Sequence, residues 1–146
     1  MTVKFCILRK GAEPPVYATP GSAACDLKAL LDAPVIIKPN ERVLIPTGLA
    51  IALPSPEYVA LICARSGMAY KRGLALANGI GVIDSDYRGE LLVALINNSG
   101  VDQTIESGDR IAQLMIVPAI QAVFTESASL DETERGEGGF GSTGTK

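Results

Sequence analysis

Histidine and tryptophan are absent from the 146 residues, and cysteine occurs only as Cys6, Cys25 and Cys63. Without histidine there is no Ser-His-Asp or Cys-His catalysis, so a general base near neutral pH must be Asp, Glu, Lys, Tyr or a thiolate. The same absence, with no CxxC pair, argues against a structural zinc, and an odd cysteine count argues against a disulfide framework. Free thiols suit a reducing cytoplasm, although three buried core cysteines would look the same. No stretch approaches the roughly 18 consecutive apolar residues of a membrane helix, and the opening MTVKFCILRK lacks the apolar core of a secretory signal. The chain is therefore expected neither in a membrane nor exported. Positive charge is thin as well: thirteen Lys and Arg against sixteen Asp and Glu give a net charge of -3, which argues against nucleic acid as a partner. Any phosphate must be held by a few placed cations.

What is present is enough apolar material, 47% of the chain, to build the core of one domain. Nine prolines and fifteen glycines interrupt it so often that helices longer than about three turns have little room. Between them the runs 3–8, 34–38, 42–45, 49–53, 58–63, 80–83, 91–96, 110–117 and 122–125 read as strands by length and β-branched content. Strands at that spacing predict an all-β barrel, sandwich or jelly roll. The stretch Ser66 to Lys71, closed by Gly73, reads as the one helical turn. From Glu126 the composition turns acidic and Gly-rich, with Ala128, Leu130 and Phe140 as its apolar side chains. That divides the chain into a barrel over 1–125 and a flexible arm over 126–146, which cannot fold by itself. The arm reads either as a disordered acidic tail or as a wrap for phosphate, since Phe140 sits between glycines with Arg135 before it and Ser142 and Thr143 after it.

Four further segments carry candidate chemistry. In ARSGMAYKRG, Arg65, Ser66 and Gly67 follow an apolar strand and open a helical turn, which makes either an anion site or an ordinary capping serine beside a solvated arginine. It is not a Walker A loop. In NGIGVIDSDYRGE, strand alternation would place Asp84 and Asp86 on one side and Ser85 and Tyr87 on the other. An acid in a mostly apolar hairpin is a candidate base, and Asp with Gly is also common turn grammar. In PGSAACDLKA, Asp26 follows small residues that allow close backbone approach. In SGDRIAQLMIVP, Gly108-Asp109 reads as a turn and Gln113 interrupts an apolar run.

Taken in order, PGSAACDL, ARSGMAY, NGIGVIDSDYRGE, GDRIAQLMIVP and RGEGGFGSTG resemble the five motifs of the homotrimeric deoxyuridine triphosphate nucleotidohydrolases, the dUTPases, across residues 20–144. The resemblance implies a jelly-roll barrel of the β-clip type, assembled as a homotrimer whose sites draw on different subunits, and hydrolysis of dUTP to dUMP and pyrophosphate with Mg²⁺. It implies that Asp84 deprotonates the attacking water, that Tyr87 lies under the deoxyribose and that Asn78 reads the uracil edge. Asp26 would touch the water shell of Mg²⁺; Arg65, Ser66, Gly67 and Gln113 would grip the phosphates. Arg135, Phe140, Ser142 and Thr143 would close the lid, with Phe140 stacked on uracil. Cys25 departs from the family, where Tyr or another residue often precedes Asp-Leu. The chemistry agrees with the composition, because carboxylate, divalent cation and arginine suffice for attack on phosphorus without histidine. Two rivals stand beside this reading. A dCTP deaminase would need a Glu near Ala94, and a non-enzymatic jelly-roll module would leave the five motifs without a purpose.

Overall fold

The computed structural model describes residues 1–139. Its strands are β1 (Lys4–Ile7), β2 (Cys25–Lys28), β3 (Val35–Ile37), β4 (Arg42–Pro46), β5 (Leu49–Ala52), β6 (Tyr58–Cys63), β7 (Leu74–Leu76), β8 (Gly81–Ile83), β9 (Leu92–Asn97), β10 (Gln103–Ile105) and β11 (Arg110–Pro118), with one helix, α1 (Ser66–Arg72). All pairings are antiparallel, in sheets ordered β1-β5, β10-β3, β2-β11-β6-β8 and β4-β9-β7. The all-β architecture with a single short helix is thus as the sequence predicts. Strands β2, β7 and β10, of three or four residues each, were not anticipated.

One correction concerns 122–125, expected as a strand. No described strand lies beyond Pro118, and Val123 and Phe124 are more than nine-tenths exposed. A β-branched and aromatic run needs a neighbouring ladder to become a strand, and within one chain nothing pairs with it. The alternation of β8 does not continue through Asp84 to Tyr87, where the turn reading holds: Tyr87 N–H donates to the Asp84 carbonyl and turns the chain immediately after β8.

Alternation in the four-stranded sheet sorts core from site. Cys25 and Leu27 of β2 point inward with Ala60 and Ile62 of β6, whereas Asp26 and Lys28 face outward. Leu27, Ile37, Ile45, Leu74, Leu91, Leu95, Ile105 and Ile111 are almost completely buried together, each such side chain contributing about 1.5–3 kcal/mol. Asn97 is fully buried but satisfied: its amide donates to the Ile37 and Val101 carbonyls at 2.8 Å, and its oxygen accepts from the Ser99 amide and hydroxyl. That bond set ties β9 to β3. The helix ends at Gly73, whose φ of 66° is the left-handed cap conformation and whose N–H reaches the Ala69 carbonyl. Arg72 then anchors α1 to β10 through the Gln103 side chain and the Thr104 carbonyl.

Candidate active site

Register brings three of the sequence motifs to one outer face. Gln113 of β11 lies opposite Asp26 of β2 on one side and Cys63 of β6 on the other. Directly opposed residues share a face, so Asp26, Gln113 and Cys63 form a row across the sheet. The row lines a cavity of about 340 Å³ with Ser22, Ala23 and Ala24, the small residues of the first motif. Arg65 follows β6 as the N-cap of α1, and Ser66 and Gly67 begin the helix, exposed. The cap itself corrects one of the two readings of this segment: Ser66 is the first helical residue, and no side chain caps the helix.

Asp26 is the electrostatic centre of this face. Its carboxylate meets Arg65 Nε at 2.8 Å and Arg110 Nη1 at 3.2 Å, and Arg65 Nη1 donates to the Arg110 carbonyl at 3.0 Å. Gln113 Nε2 donates to the Ala64 carbonyl at 2.9 Å, which fixes the side chain beside the Arg65 loop. Arg110 is the residue that sequence reasoning missed; it sat in the GDRIAQ segment, but Gly108-Asp109 was read only as a turn. Immediately beneath the row, burial pushes the Cys25 thiol above its ordinary value, the nearby Asp26 charge adds to this, and a hydrogen bond with Tyr17 opposes it. Tyr17 is raised in turn, first by the Cys25 charge.

The other motif residues gather elsewhere. Ala60 pairs with Ile83, so Asp84 emerges beside Val59, in an open cavity of about 690 Å³ with Tyr58, Ser85 and Asp86. Tyr87 folds over Gly89, where any Cβ would strike its ring, and its hydroxyl donates to the Glu90 carbonyl at 3.1 Å. The Glu90 carboxylate accepts from Gly48 N–H at 2.6 Å and Arg9 at 3.3 Å, which pins the base of the loop to β5 and to the N-terminal segment. Asn78 is exposed in the turn between β7 and β8. Six residue steps along β6 and its extension separate Val59 from Arg65, roughly 20 Å at about 3.3 Å per step. Asp84 and Tyr87 therefore lie at one end of β6, and Arg65, Asp26 and Gln113 at the other. Arg135 is exposed, its Nε donating to the Gly138 carbonyl at 2.9 Å. Phe140, Ser142 and Thr143 lie outside the described residues.

The family model described as dUTPase matches residues 10–144, which include all five segments. The chain belongs to the dUTPase family. The deoxyuridine 5'-triphosphate nucleotidohydrolase of Desulfitobacterium hafniense (strain DSM 10664 / DCB-2) is 55% identical over 144 residues, covering 97% of this chain and 95% of that protein. That of Paraburkholderia phymatum is 49% identical, covering 99% and 97%. Among solved structures, a mutant dUTPase of Staphylococcus bacteriophage 80alpha with dUpNHpp superposes with a TM-score of 0.85 at 27% identity over 98% of both chains. A mutant dUTPase of phage phi11 of S. aureus, described as coordinating a structural Mg(II) ion, gives 0.79 at 25% identity over 90% of this chain and 100% of that one. These likenesses span the whole dUTPase barrel, the regions on either end of β6 included.

Proposed function

We propose that this chain works its family's reaction, the hydrolysis of dUTP to dUMP and pyrophosphate, with water attacking the α-phosphorus. The observation that carries the reading is the assembly of Asp26, Arg65 and Gln113 on one outer face by strands far apart in sequence, in a member of the dUTPase family. Arg65, Ser66, Gly67 and Gln113 hold the phosphates, the guanidinium supplying charge-assisted hydrogen bonds. Asp84 takes a proton from the water as its oxygen bonds to phosphorus, and the bond to the pyrophosphate oxygen breaks. The proton passes from Asp84 to solvent. Tyr87 packs against the deoxyribose and leaves no space for a 2'-hydroxyl, while Asn78 reads the uracil edge. Residues 126–146 form an arm in which Arg135, Phe140, Ser142 and Thr143 cover the bound nucleotide.

Among the described residues no three His, Cys, Asp or Glu side chains gather to enclose a metal. That fits Mg²⁺, which prefers substrate phosphates, water and one or two carboxylates to an all-protein cage. Asp26 would hold it through water, since two arginines leave lone pairs free on its carboxylate. When bound, the ion neutralises the triphosphate and its developing charge.

The same geometry supports a homotrimer. Asp84 and the Arg65 grip, roughly 20 Å apart on one chain, cannot both act at one α-phosphorus, so the Asp84 end of one subunit completes the Arg65 end of another. Ile120, Val123 and Phe124, each at least 93% exposed past the last strand, supply apolar surface for a neighbour to cover. No described helix is long and apolar enough to cross a membrane, and the free thiols suit the cytoplasm, where the substrate is dUTP and nucleic acid and membrane are not partners. Incubation with each deoxynucleoside triphosphate and Mg²⁺ should release pyrophosphate from dUTP far faster than from the others. Equal release from all, ammonia from dCTP, or no release at all would overturn the reading.

A further inference from the structure

Glu90 joins a fixed strand end to a loop with few ties to the barrel. After it, Leu91 is completely buried, its N–H donating to the Leu49 carbonyl at 2.7 Å and its carbonyl accepting from the Thr47 hydroxyl at 2.7 Å. Before it, the hydrogen bonds of residues 84–89 among the described residues stay within the loop or end at Glu90. Tyr87 N–H reaches the Asp84 carbonyl, Arg88 Nη1 reaches the Ser85 and Tyr87 carbonyls at 2.8 Å, and the Tyr87 hydroxyl reaches the Glu90 carbonyl at 3.1 Å. The Tyr87 ring is 43% exposed and lies over Gly89, so packing alone does not fix it. Its place depends on the Glu90 peptide, and that peptide is tied down by the Glu90 side chain. The carboxylate is only a quarter exposed, and its Oε1 accepts from Gly48 N–H at 2.6 Å and from Arg9 Nη2 at 3.3 Å. Gly48 is buried, and its carbonyl accepts from Leu8 N–H at 2.8 Å, so the donor facing Glu90 belongs to a fixed part of the barrel.

Resting on the reading in which Tyr87 excludes a 2'-hydroxyl, we infer that Glu90 is a positioning residue for sugar selection. Its carboxylate clamps the Glu90 peptide to Gly48, the Glu90 carbonyl holds the Tyr87 hydroxyl, and the ring is thereby set where deoxyribose fits and ribose does not. Glu90 acts through Tyr87 and makes no substrate contact of its own. The Gly48 bond carries the clamp, because a carboxylate accepting from a buried N–H is a charge-assisted bond with little competition from water. Arg9 adds less: its side chain is 41% exposed, and its longer contact to the carboxylate is an ion pair that solvent weakens. Without the carboxylate the Gly48 N–H loses its partner, the Glu90 peptide is free to rotate, and the Tyr87 ring moves with it.

The test is the ratio of kcat/KM for dUTP to that for UTP in the full chain with Mg²⁺, read beside the fluorine NMR signal of Tyr87 in fluorotyrosine-labelled protein, assigned with Tyr87→Phe. Glu90→Ala should narrow the ratio about tenfold or more, as expected for a positioning group displaced by about 1 Å. It should also shift or broaden the Tyr87 signal while those of Tyr17, Tyr58 and Tyr70 stay put. Glu90→Met, which keeps the apolar stem and loses the acceptor, should do the same should the alanine variant fold poorly. Glu90→Gln, which keeps an acceptor for Gly48, should restore most of the ratio, and Arg9→Met should narrow it only slightly. In a Tyr87→Ala background, Glu90→Ala should leave the ratio where it is. An unchanged ratio in both Glu90→Ala and Glu90→Met overturns the inference, as do equal losses for the two nucleotides or the same narrowing without the Tyr87 ring. A wild-type chain that does not prefer dUTP to UTP instead overturns the role given to Tyr87, and the NMR arm then still decides whether Glu90 holds that ring in place.

Discussion

A single methyl group at Gly89 separates the stability of the fold from the selectivity of the site. Gly89 is not among the residues with positive φ, so alanine suits its backbone, and the substitution acts only through what the new Cβ meets. That Cβ would stand 2.5 Å from Tyr87 Cζ and 3.0 Å from Cε2, against about 3.5–4.0 Å for unstrained carbon pairs. The ring must shift by about 1 Å, and it can, since Tyr87 is 43% exposed. The folding cost is then chiefly the hydroxyl bond to the Glu90 carbonyl, about 0.5–1.5 kcal/mol. For a domain of this size that lowers Tm by a few degrees. Catalysis is far less tolerant: displacing a positioning group by about 1 Å can cost on the order of 10²-fold. Gly89→Ala should therefore melt nearly as wild type, lose between ten- and a hundredfold in kcat/KM for dUTP by the same estimate, and lose much less for UTP. In a Tyr87→Ala background the same change should be close to silent, because the two act as one unit. Wild-type kcat/KM with an unaltered dUTP to UTP ratio, or a full effect in the Tyr87→Ala background, would refute the reasoning.

Four further outcomes are expected. Asp84→Asn should lower turnover by about 10² to 10⁴-fold while equilibrium binding of dUpNHpp survives; near-normal turnover removes Asp84 as the base. Deleting 135–146 should leave the melting curve and the assembly intact, since no described strand lies beyond Pro118, yet abolish most dUTP hydrolysis. In the intact chain Phe140→Trp should retain activity and change fluorescence on adding dUpNHpp with Mg²⁺, in a sequence with no other Trp. The Cys25 thiol, raised by burial, stays protonated in the fold where the unfolded thiol ionises near about pH 8.5. Its contribution is complete below that pH and is lost as pH rises through the folded pKa. The urea midpoint should accordingly fall less between pH 8 and pH 10 in Cys25→Ala than in wild type.

The elements that could be read from sequence were those whose local grammar needed no partner. The helix over Ser66–Arg72 was visible because Gly73 supplies a stop, and β6, β9 and β11 because long Val, Ile and Leu runs exceed any turn. Strand β2 was invisible: in CDLK only Cys25 and Leu27 face inward, and two positions do not establish a period. Residues 122–125 erred the other way, with strand propensity and no ladder. All five motifs could be found in linear order, but the pairing of Arg110 with Asp26, 84 residues apart, depends on a register that no local pattern encodes. Nor does linear order reveal that β6 holds Asp84 and Arg65 apart, although the two lie only nineteen positions from one another in the chain.

That separation along β6 has a genetic consequence. If each site takes its phosphate grip from one subunit and its base from the next, a chain disabled at one end still lends the other end to its neighbour. Two alleles, one carrying Asp84→Asn and the other Arg65→Ala, would each encode a nearly dead enzyme. Co-expressed, they would rebuild intact sites wherever an Arg65-bearing subunit abuts an Asp84-bearing one, about a quarter of the sites in randomly mixed rings of three. Conversely, a chain carrying both lesions would poison its partners, a single such subunit spoiling two of the three sites in its ring.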